Sequence, residues 1–280
     1  MIMKSSIDEL LQTATIELSS VAKTLSLKPR FESEILLSFV LKVPRIYLHT
    51  HSTQYIETAL KEHFFSLIAL RKKGTPIEYI TQNASFYGYD FFVNPNVLIP
   101  RPETEILIDK AREIIHAYHI HSIAEIGIGS GIITTTLALL EPQCRFFATD
   151  ISQKALQVAQ KNIATFAPNA DITLHHCSIL PANAPHFELL ISNPPYISED
   201  YPISKPLLYE PKVALFGGKD GLDVYKEILK EIKKRKNIWL LCEMGFNQKE
   251  AISTLLQDAK DVAFYTDLSG LDRGFSAYFA

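Results

Sequence analysis

From residue 122 onward, short runs rich in Ile, Leu, Val and Phe alternate with amphipathic stretches long enough for helices. Strands are expected at 122–126, 145–149, 171–175, 187–192 and 238–243, and helices near 131–140, 153–166, 220–235 and 247–258. Parallel neighbours cannot be joined by tight turns, so such alternation implies a mostly parallel sheet with helices on both faces. Two last strands, 261–266 and 275–280, have no helix between them. They are expected to fold as an antiparallel hairpin at one edge. The expectation is an α/β chain whose sheet has seven strands, mostly parallel, with the last one antiparallel.

The first part of the chain follows a different period. Leu10, Leu11, Ala14 and Leu18 recur at helical spacing, as do Ile35, Leu36, Phe39 and Val40, and then Leu60, Phe64, Leu67, Ile68 and Arg71. Lys28-Pro29 and Val43-Pro44 cut this region into short helices, and Gly74-Thr75-Pro76 ends it. A small all-α bundle is therefore expected over residues 1–75, as a structural cap or as a docking domain for a macromolecule. Phe86-Tyr-Gly-Tyr-Asp-Phe-Phe-Val93 is aromatic and β-prone, with Gly88 as the turn, so residues 76–98 read as a β-hairpin linker. Residues 99–280 are left for the α/β domain, with a helix over 103–116. At 280 residues and 47% hydrophobic, the chain can bury one large core plus a smaller satellite.

After the first expected parallel strand comes Glu125-Ile-Gly127-Ile-Gly129-Ser-Gly131-Ile, opening a helix. Glycines here let backbone turn tightly and approach a ligand closely. The dinucleotide fingerprint needs Gly-x-Gly-x-x-Gly, and position 132 is Ile. A phosphate-binding P-loop needs Gly-Lys-Ser/Thr, and none follows. The form present resembles the loop of class I S-adenosylmethionine-dependent methyltransferases. The second strand ends at Asp150, where a carboxylate can accept both ribose hydroxyls; the alternative is that Asp150 or Ser152 caps the next helix.

Asn193-Pro194-Pro195-Tyr196 directly follows the apolar run 187–192. It suits a planar nitrogen, the NH₂ of an amide or an exocyclic amine, whose delocalised lone pair makes it a poor nucleophile. The Asn193 side-chain oxygen and a prolyl carbonyl supply two acceptors, and proline brings no competing N–H. Tyr196 offers a flat face for the planar group. Ligands of open α/β sheets lie beyond the carboxyl ends of the strands, so the glycine loop and the tetrad are expected to converge on one crevice.

The net charge of −3 argues against a chain that lives on nucleic acid or an anionic membrane. Residues 1–75 hold ten Lys/Arg against seven Asp/Glu, and the rest 18 against 24, a mild asymmetry that fits a solvated surface. Cys144, Cys177 and Cys242 form no CxxC or Cys/His cluster, so no metal site is expected and a reducing compartment fits. Acidic residues stand where a signal peptide needs its apolar stretch, and no apolar run nears membrane-spanning length. A cytoplasmic protein is expected.

With these residues assembled, the chain resembles the bacterial release-factor glutamine methyltransferase (HemK/PrmC) family over nearly its whole length. The matching strings are Gly74-Thr-Pro76, Glu78-Tyr-Ile80, Phe86-Tyr-Gly88, Leu98-Ile-Pro-Arg-Pro-Glu-Thr-Glu105, the glycine loop, Asn193-Pro-Pro-Tyr-Ile197, Tyr209-Glu-Pro211, Ala214-Leu-Phe, Gly221-Leu-Asp and Asp272-Arg273. The Ile-Pro-Arg-Pro-Glu-Thr-Glu string is the most diagnostic, since generic amide and adenine methyltransferases lack it. The resemblance implies a Rossmann-like class I methyltransferase domain behind a helical docking domain. It also implies methylation of the glutamine amide in the Gly-Gly-Gln motif of class 1 peptide chain release factors. S-adenosyl-L-methionine would be the cofactor and S-adenosyl-L-homocysteine the product.

Carried onto this chain, the family's cofactor contacts fall on Glu125, Ile126, Gly127, Ile128, Gly129, Asp150, Ser178, Ile179 and Asn193. The catalytic and substrate-binding set is Asn193, Pro194, Pro195 and Tyr196, with Arg101 as a further substrate contact. The family usually has Asp where Glu125 stands, and an Asp followed by an aromatic where this chain has Ser178-Ile179. Arg101 reads either as a clamp on Glu103 or substrate, or as half of an ordinary ion pair; Glu210 either approaches the tetrad or pairs with a basic neighbour. The basic run Lys230–Lys236 reads as a solvated helix end. The alternatives are a glutamine methyltransferase of a ribosomal protein, which shares the chemistry, and a DNA adenine methyltransferase, which would want a basic recognition region. A catalytically silent cofactor-binding adaptor is a third, against which the intact tetrad speaks.

Overall fold

The computed structural model describes residues 5–280, so residues 1–4 of the expected helical domain and of the N-terminus read for a signal peptide lie outside the described residues. The chain divides into two compact units. One runs to Gln82 and takes in Ile203–Tyr209; the other comprises Asn83–Pro202 and Glu210–Ala280.

The first unit holds six helices among its described residues: α1 (Ile7–Ser19), α2 (Ala22–Leu25), α3 (Pro29–Leu41), α4 (Arg45–Thr50), α5 (Thr58–Lys73) and α6 (Ile77–Thr81). A two-residue antiparallel ladder joins β1 (Ser5–Ser6) to β2 (Tyr55–Ile56). Ser6 and Glu9 form a reciprocal capping box at the start of α1, satisfying two backbone donors that the first turn leaves free. Gly74, at φ +109°, closes α5 in the left-handed conformation that only glycine adopts without strain. The core is Leu10, Leu11, Leu18, Leu36, Leu37, Phe64 and Ile68. The buried stripe of α3 is centred on Leu36, Leu37 and Val40, and Phe39 is 42% exposed. Arg71, part of the apolar stripe of α5, is buried because its guanidinium pairs with buried Glu32 and donates to the Thr75 carbonyl.

The second unit opens on the hairpin β3 (Asn83–Phe86) and β4 (Tyr89–Phe92), turning through Tyr87 and Gly88, both at positive φ. Such a turn matches the right-handed twist of the two strands. A 3₁₀ turn, Pro102–Thr104, leads into α7 (Glu105–Tyr118). The rest follows in the order β5 (Ser122–Ile126), α8 (Ile132–Leu140), β6 (Arg145–Asp150), α9 (Gln153–Phe166), β7 (Ile172–His176), β8 (Leu189–Ser192), α10 (Lys212–Leu215), α11 (Asp223–Ile232), β9 (Ile238–Glu243), α12 (Lys249–Leu255), β10 (Asp261–Thr266) and β11 (Asp272–Phe279).

β5 to β11 form one sheet in the order β10-β11-β9-β8-β5-β6-β7. Its ladders are parallel except that β11 runs antiparallel to both β9 and β10. The seven-stranded, mostly parallel sheet with an antiparallel last strand is therefore as expected. β11 begins earlier than the expected 275, at Asp272, where Arg273 pairs with Asp267 across the turn. The helix expected over 220–235 is shorter, because Gly221 at φ +74° breaks its start and α11 stops at Ile232. Lys230 and Lys234 of the basic run pair with Glu227 and Glu231 on the surface.

The central strands β5, β8 and β9 are buried at every position, as strands covered on both faces must be. Alternate residues serve opposite faces. Ile123, Ile191 and Leu241 pack with Phe86, Phe91, Leu107 and Leu137, whereas Ala124, Leu190 and Leu240 pack with Tyr225, Ile228 and Ile252. The chain winds outward from β5 through β6 to β7, then returns to lay β8 on the other side of β5. Crossovers diverge at that point, and the carboxyl ends of β5 and β8 face an open crevice.

Among the described residues, no helix is long and apolar enough to cross a membrane.

Candidate active site

A cavity of about 340 Å³ fills that crevice. Of the residues singled out from sequence, Arg101, Glu125, Ile126, Gly127, Ile128, Gly129, Asp150, Ser178, Ile179, Asn193, Pro194 and Pro195 all line it. Tyr196 does not. Its hydroxyl is drawn away to donate to Glu243 Oε1 at 3.2 Å, and burial raises its pKa.

Topology brings these residues together. β5 delivers Glu125 and Ile126 and then turns through Gly127 and Gly129, at φ +75° and +55°. Among the described residues, a Cβ at Gly127 would meet no atom within 4 Å beyond its chain neighbours, and one at Gly129 only the Gly127 carbonyl at 4.0 Å. The loop thus keeps bare backbone toward the cavity, leaving room for a ligand. β6, beside β5, ends at Asp150, whose Oδ2 accepts the Gly129 N–H at 2.9 Å and whose Oδ1 accepts the Ser152 N–H at 2.8 Å. Ser152 caps α9 by accepting the Ala155 N–H, so capping falls to Ser152 and Asp150 stays on the cavity wall.

Glu125 is 2% exposed. Its Oε2 accepts both the Thr134 N–H, at 3.0 Å, and the Thr134 hydroxyl, while its buried Oε1 has no partner among the described residues. Burial pushes its pKa up to about 8, against the pull of the two Thr134 hydrogen bonds, and the nearby Asp150 carboxylate adds to the rise. Burial also raises Asp150, opposed by the Ser152 and Gly129 N–H groups. Neither carboxylate has an ion-pair partner among the described residues. Two buried acids, one with an orphaned oxygen, beside an unobstructed glycine loop suit a ligand that brings positive charge and hydroxyl donors. An aminoacyl sulfonium nucleoside has both, so the residues present fit S-adenosylmethionine.

At the other end of the cavity, Asn193 Nδ2 donates to Thr104 Oγ1 at 3.3 Å, and the Thr104 hydroxyl donates to Glu243 Oε2 at 2.7 Å. The tetrad backbone is braced as well. Ile197 donates to the Leu215 carbonyl at 3.0 Å, and Gln248 Nε2 donates to the Tyr196 carbonyl at 3.0 Å. A Cβ at Gly217 would lie 2.3 Å from the Pro195 oxygen, and one at Gly221 2.2 Å from the Tyr196 oxygen. Those glycines are needed for close approach.

Arg101 pairs with buried Glu210, and the other Glu210 oxygen accepts the Ile99 N–H at 3.0 Å. The partner of Arg101 is thus Glu210, not Glu103, and the two residues answer each other. Sequence reading passed over Thr104, Glu243, Gly217 and Gln248. Glu243 carried a signal: an acid closing a buried parallel strand sits at the edge where ligands bind. The others contact the tetrad only through the tertiary fold.

Strand order, glycine loop and tetrad together define a class I methyltransferase, a fold that implies S-adenosylmethionine as methyl donor. Residues 9–81 match the family model "PrmC N-terminal domain", and residues 103–209 match "Methyltransferase small domain". The chain is 35% identical over 252 residues to the release factor glutamine methyltransferase of Koribacter versatilis (strain Ellin345), covering 88% of this chain and 89% of that one. It is 34% identical over 270 residues to that of Coxiella burnetii (strain RSA 493 / Nine Mile phase I), covering 94% and 96%. Among solved structures, the catalytic domain of human METTL16 superposes with a TM-score of 0.57 at 15% identity, over 81% of this chain and 85% of that one, a likeness of fold alone. The chain belongs to the release factor glutamine methyltransferase family.

Proposed function

We propose that this chain methylates the side-chain amide nitrogen of the glutamine in the Gly-Gly-Gln motif of class 1 peptide chain release factors. One observation carries the reading: the glycine loop after β5 and Asn193 after β8 open into the same cavity. Bound S-adenosylmethionine supplies an electrophilic methyl group. Glu125 and Asp150 hold the cationic and ribose ends of that cofactor, the bare backbone of Gly127 and Gly129 lets it lie close, and Ile126, Ile128, Ser178 and Ile179 wall it in. Asn193 accepts an N–H of the substrate amide, a prolyl carbonyl of Pro194 or Pro195 accepts the other, and Tyr196 buttresses the turn that aims them. Arg101, held by Glu210 on the cavity lining, would contact the substrate. Catalysis is then chiefly positioning and polarisation by preorganised acceptors. No strong base is needed, because the nitrogen sheds its proton readily once alkylated.

In this reading the helical region 1–75 docks the release factor, 76–98 links it, and 99–280 carries out the transfer. The test is incubation with methyl-labelled cofactor and, separately, purified release factor, ribosomal protein and duplex DNA, with label mapped by mass spectrometry. Label confined to the Gly-Gly-Gln glutamine is the expected result. Label on the ribosomal protein or on adenine, with none on the release factor, defeats the reading.

A further inference from the structure

Asn193 can act as an acceptor only if its carboxamide is held with the oxygen toward the substrate, and the two ends of a carboxamide are nearly the same shape. The residues behind it decide the matter. Glu243, at the end of β9, is 1% exposed. Its Oε1 accepts the Tyr196 hydroxyl at 3.2 Å and its Oε2 accepts the Thr104 hydroxyl at 2.7 Å. Thr104 has a single hydroxyl hydrogen, and Glu243 takes it. What Thr104 Oγ1 shows to Asn193 is therefore lone pairs alone, so the group facing it must be a donor: Asn193 Nδ2, at 3.3 Å. Turning the carboxamide over would set two acceptors against each other, or strip Glu243 of a donor in a buried site. Either change leaves a buried polar atom unpaired. Asn193 Oδ1 makes no hydrogen bond to any described residue.

The relay is rigidly mounted. Thr104 is buried in the 3₁₀ turn, where its N–H donates to the Arg101 carbonyl at 3.0 Å. The Glu243 carbonyl accepts the Tyr225 hydroxyl at 2.8 Å. We propose that Glu243 and Thr104 are positioning residues that set the direction of the Asn193 carboxamide, presenting Oδ1 to the substrate amide N–H and sending the NH₂ inward. One carboxylate thereby anchors both ends of the tetrad, Asn193 through Thr104 and Tyr196 directly. The inference rests on the proposed amide acceptor, and it gives the threonine of Arg101-Pro-Glu-Thr104 a chemical task.

Thr104→Val keeps the shape and deletes the hydroxyl, whereas Thr104→Ser keeps the hydroxyl. In the full-length protein with release factor as substrate, Thr104→Val is expected to lower kcat about 10- to 100-fold, the scale of a misoriented contact. Calorimetric affinity for S-adenosylhomocysteine should fall far less than kcat, and Thr104→Ser should recover most of the loss. Side-chain ¹⁵N NMR reads the orientation without any substrate. The Asn193 NH₂ resonance, assigned by its loss in Asn193→Ala, should be shifted and slow to exchange with solvent in the wild-type and Thr104→Ser proteins, but not in Thr104→Val. An unshifted wild-type resonance, or full kcat in a folded Thr104→Val protein, overturns the proposal. If the wild-type protein methylates no release factor, the functional reading falls, and the NMR arm still decides whether the carboxamide has a set direction.

Discussion

The two ends of the cavity are built on opposite plans. At the glycine-loop end, Glu125 and Asp150 are buried without an ion-pair partner, and Glu125 Oε1 has no hydrogen-bond partner, among the described residues. That end carries a burial cost that a cationic, hydroxyl-bearing ligand would relieve. At the tetrad end, Asn193, Thr104, Tyr196, Glu243 and Gln248 satisfy one another, and one face of Asn193 stays free. Affinity for a charged ligand can come from relieving buried acids, whereas aiming a weak nucleophile requires groups that do not move when it binds. One crevice thus stores unfavourable burial at one end and order at the other.

The sharpest way to break the comparison is Asn193→Ala. It removes the acceptor and leaves Glu125 and Asp150 in place, so turnover on release factor should fall about 10²- to 10³-fold, the cost of losing one preorganised contact. Asn193 is also an expected cofactor contact, so cofactor affinity by calorimetry should fall, but far less than turnover. Parallel losses in both would mean that the two ends are not separable.

Gly221→Ala attacks the tetrad from behind. The new Cβ would sit 2.2 Å from the Tyr196 oxygen at a backbone φ of +74°, so the turn must shift. Destabilisation of about 1–3 kcal/mol by denaturant titration is expected, with reduced turnover in the folded fraction. An unperturbed variant would mean that the bracing is loose.

Glu125→Gln tests the other end through its pH dependence. In the ligand-free protein Glu125 has a pKa of about 8, against 4.5 for an unperturbed carboxyl. Below 4.5 both folded and unfolded forms are protonated and nothing is lost. Between 4.5 and 8 the unfolded chain ionises while the folded one keeps its proton, so stability declines as pH rises, and it levels off above 8. Glu125→Gln should flatten that decline in Tm against pH and weaken cofactor binding about tenfold, the scale of one charge-assisted hydrogen bond. A wild-type profile with no fall across this window would show that burial does not hold the proton.

The smallest effect serves as a control. Ser6→Ala removes the capping box of α1 and should cost about 1 kcal/mol of stability. It lies in the other compact unit and should leave cofactor affinity at the wild-type value.

Local patterns made much of this legible. Alternating periods announced the sheet, and Gly127-Ile-Gly129 and Asn193-Pro-Pro directly follow strands while Asp150 ends one, so their edge of the sheet followed from topology. Boundaries were less exact: α11 is shorter than its helical pattern because Gly221 is spent on close approach to the tetrad, and β11 reaches back to Asp272 through pairing with β9 and β10. The Tyr196 hydroxyl is held by Glu243, 47 positions away, a partner that no local pattern announces.

Sequence alone could determine the strand-and-helix order, the glycine loop and the Asn193-Pro-Pro-Tyr196 tetrad, because each is a run of neighbours whose backbone preferences and donor inventory are written locally. Only the tertiary structure decided which way Asn193 faces, that Arg101 belongs to Glu210, and that Glu125 is buried with an oxygen to spare. Hydrogen-bond direction and burial depend on what packs across the fold, and Thr104 meets Glu243 over 139 positions of chain.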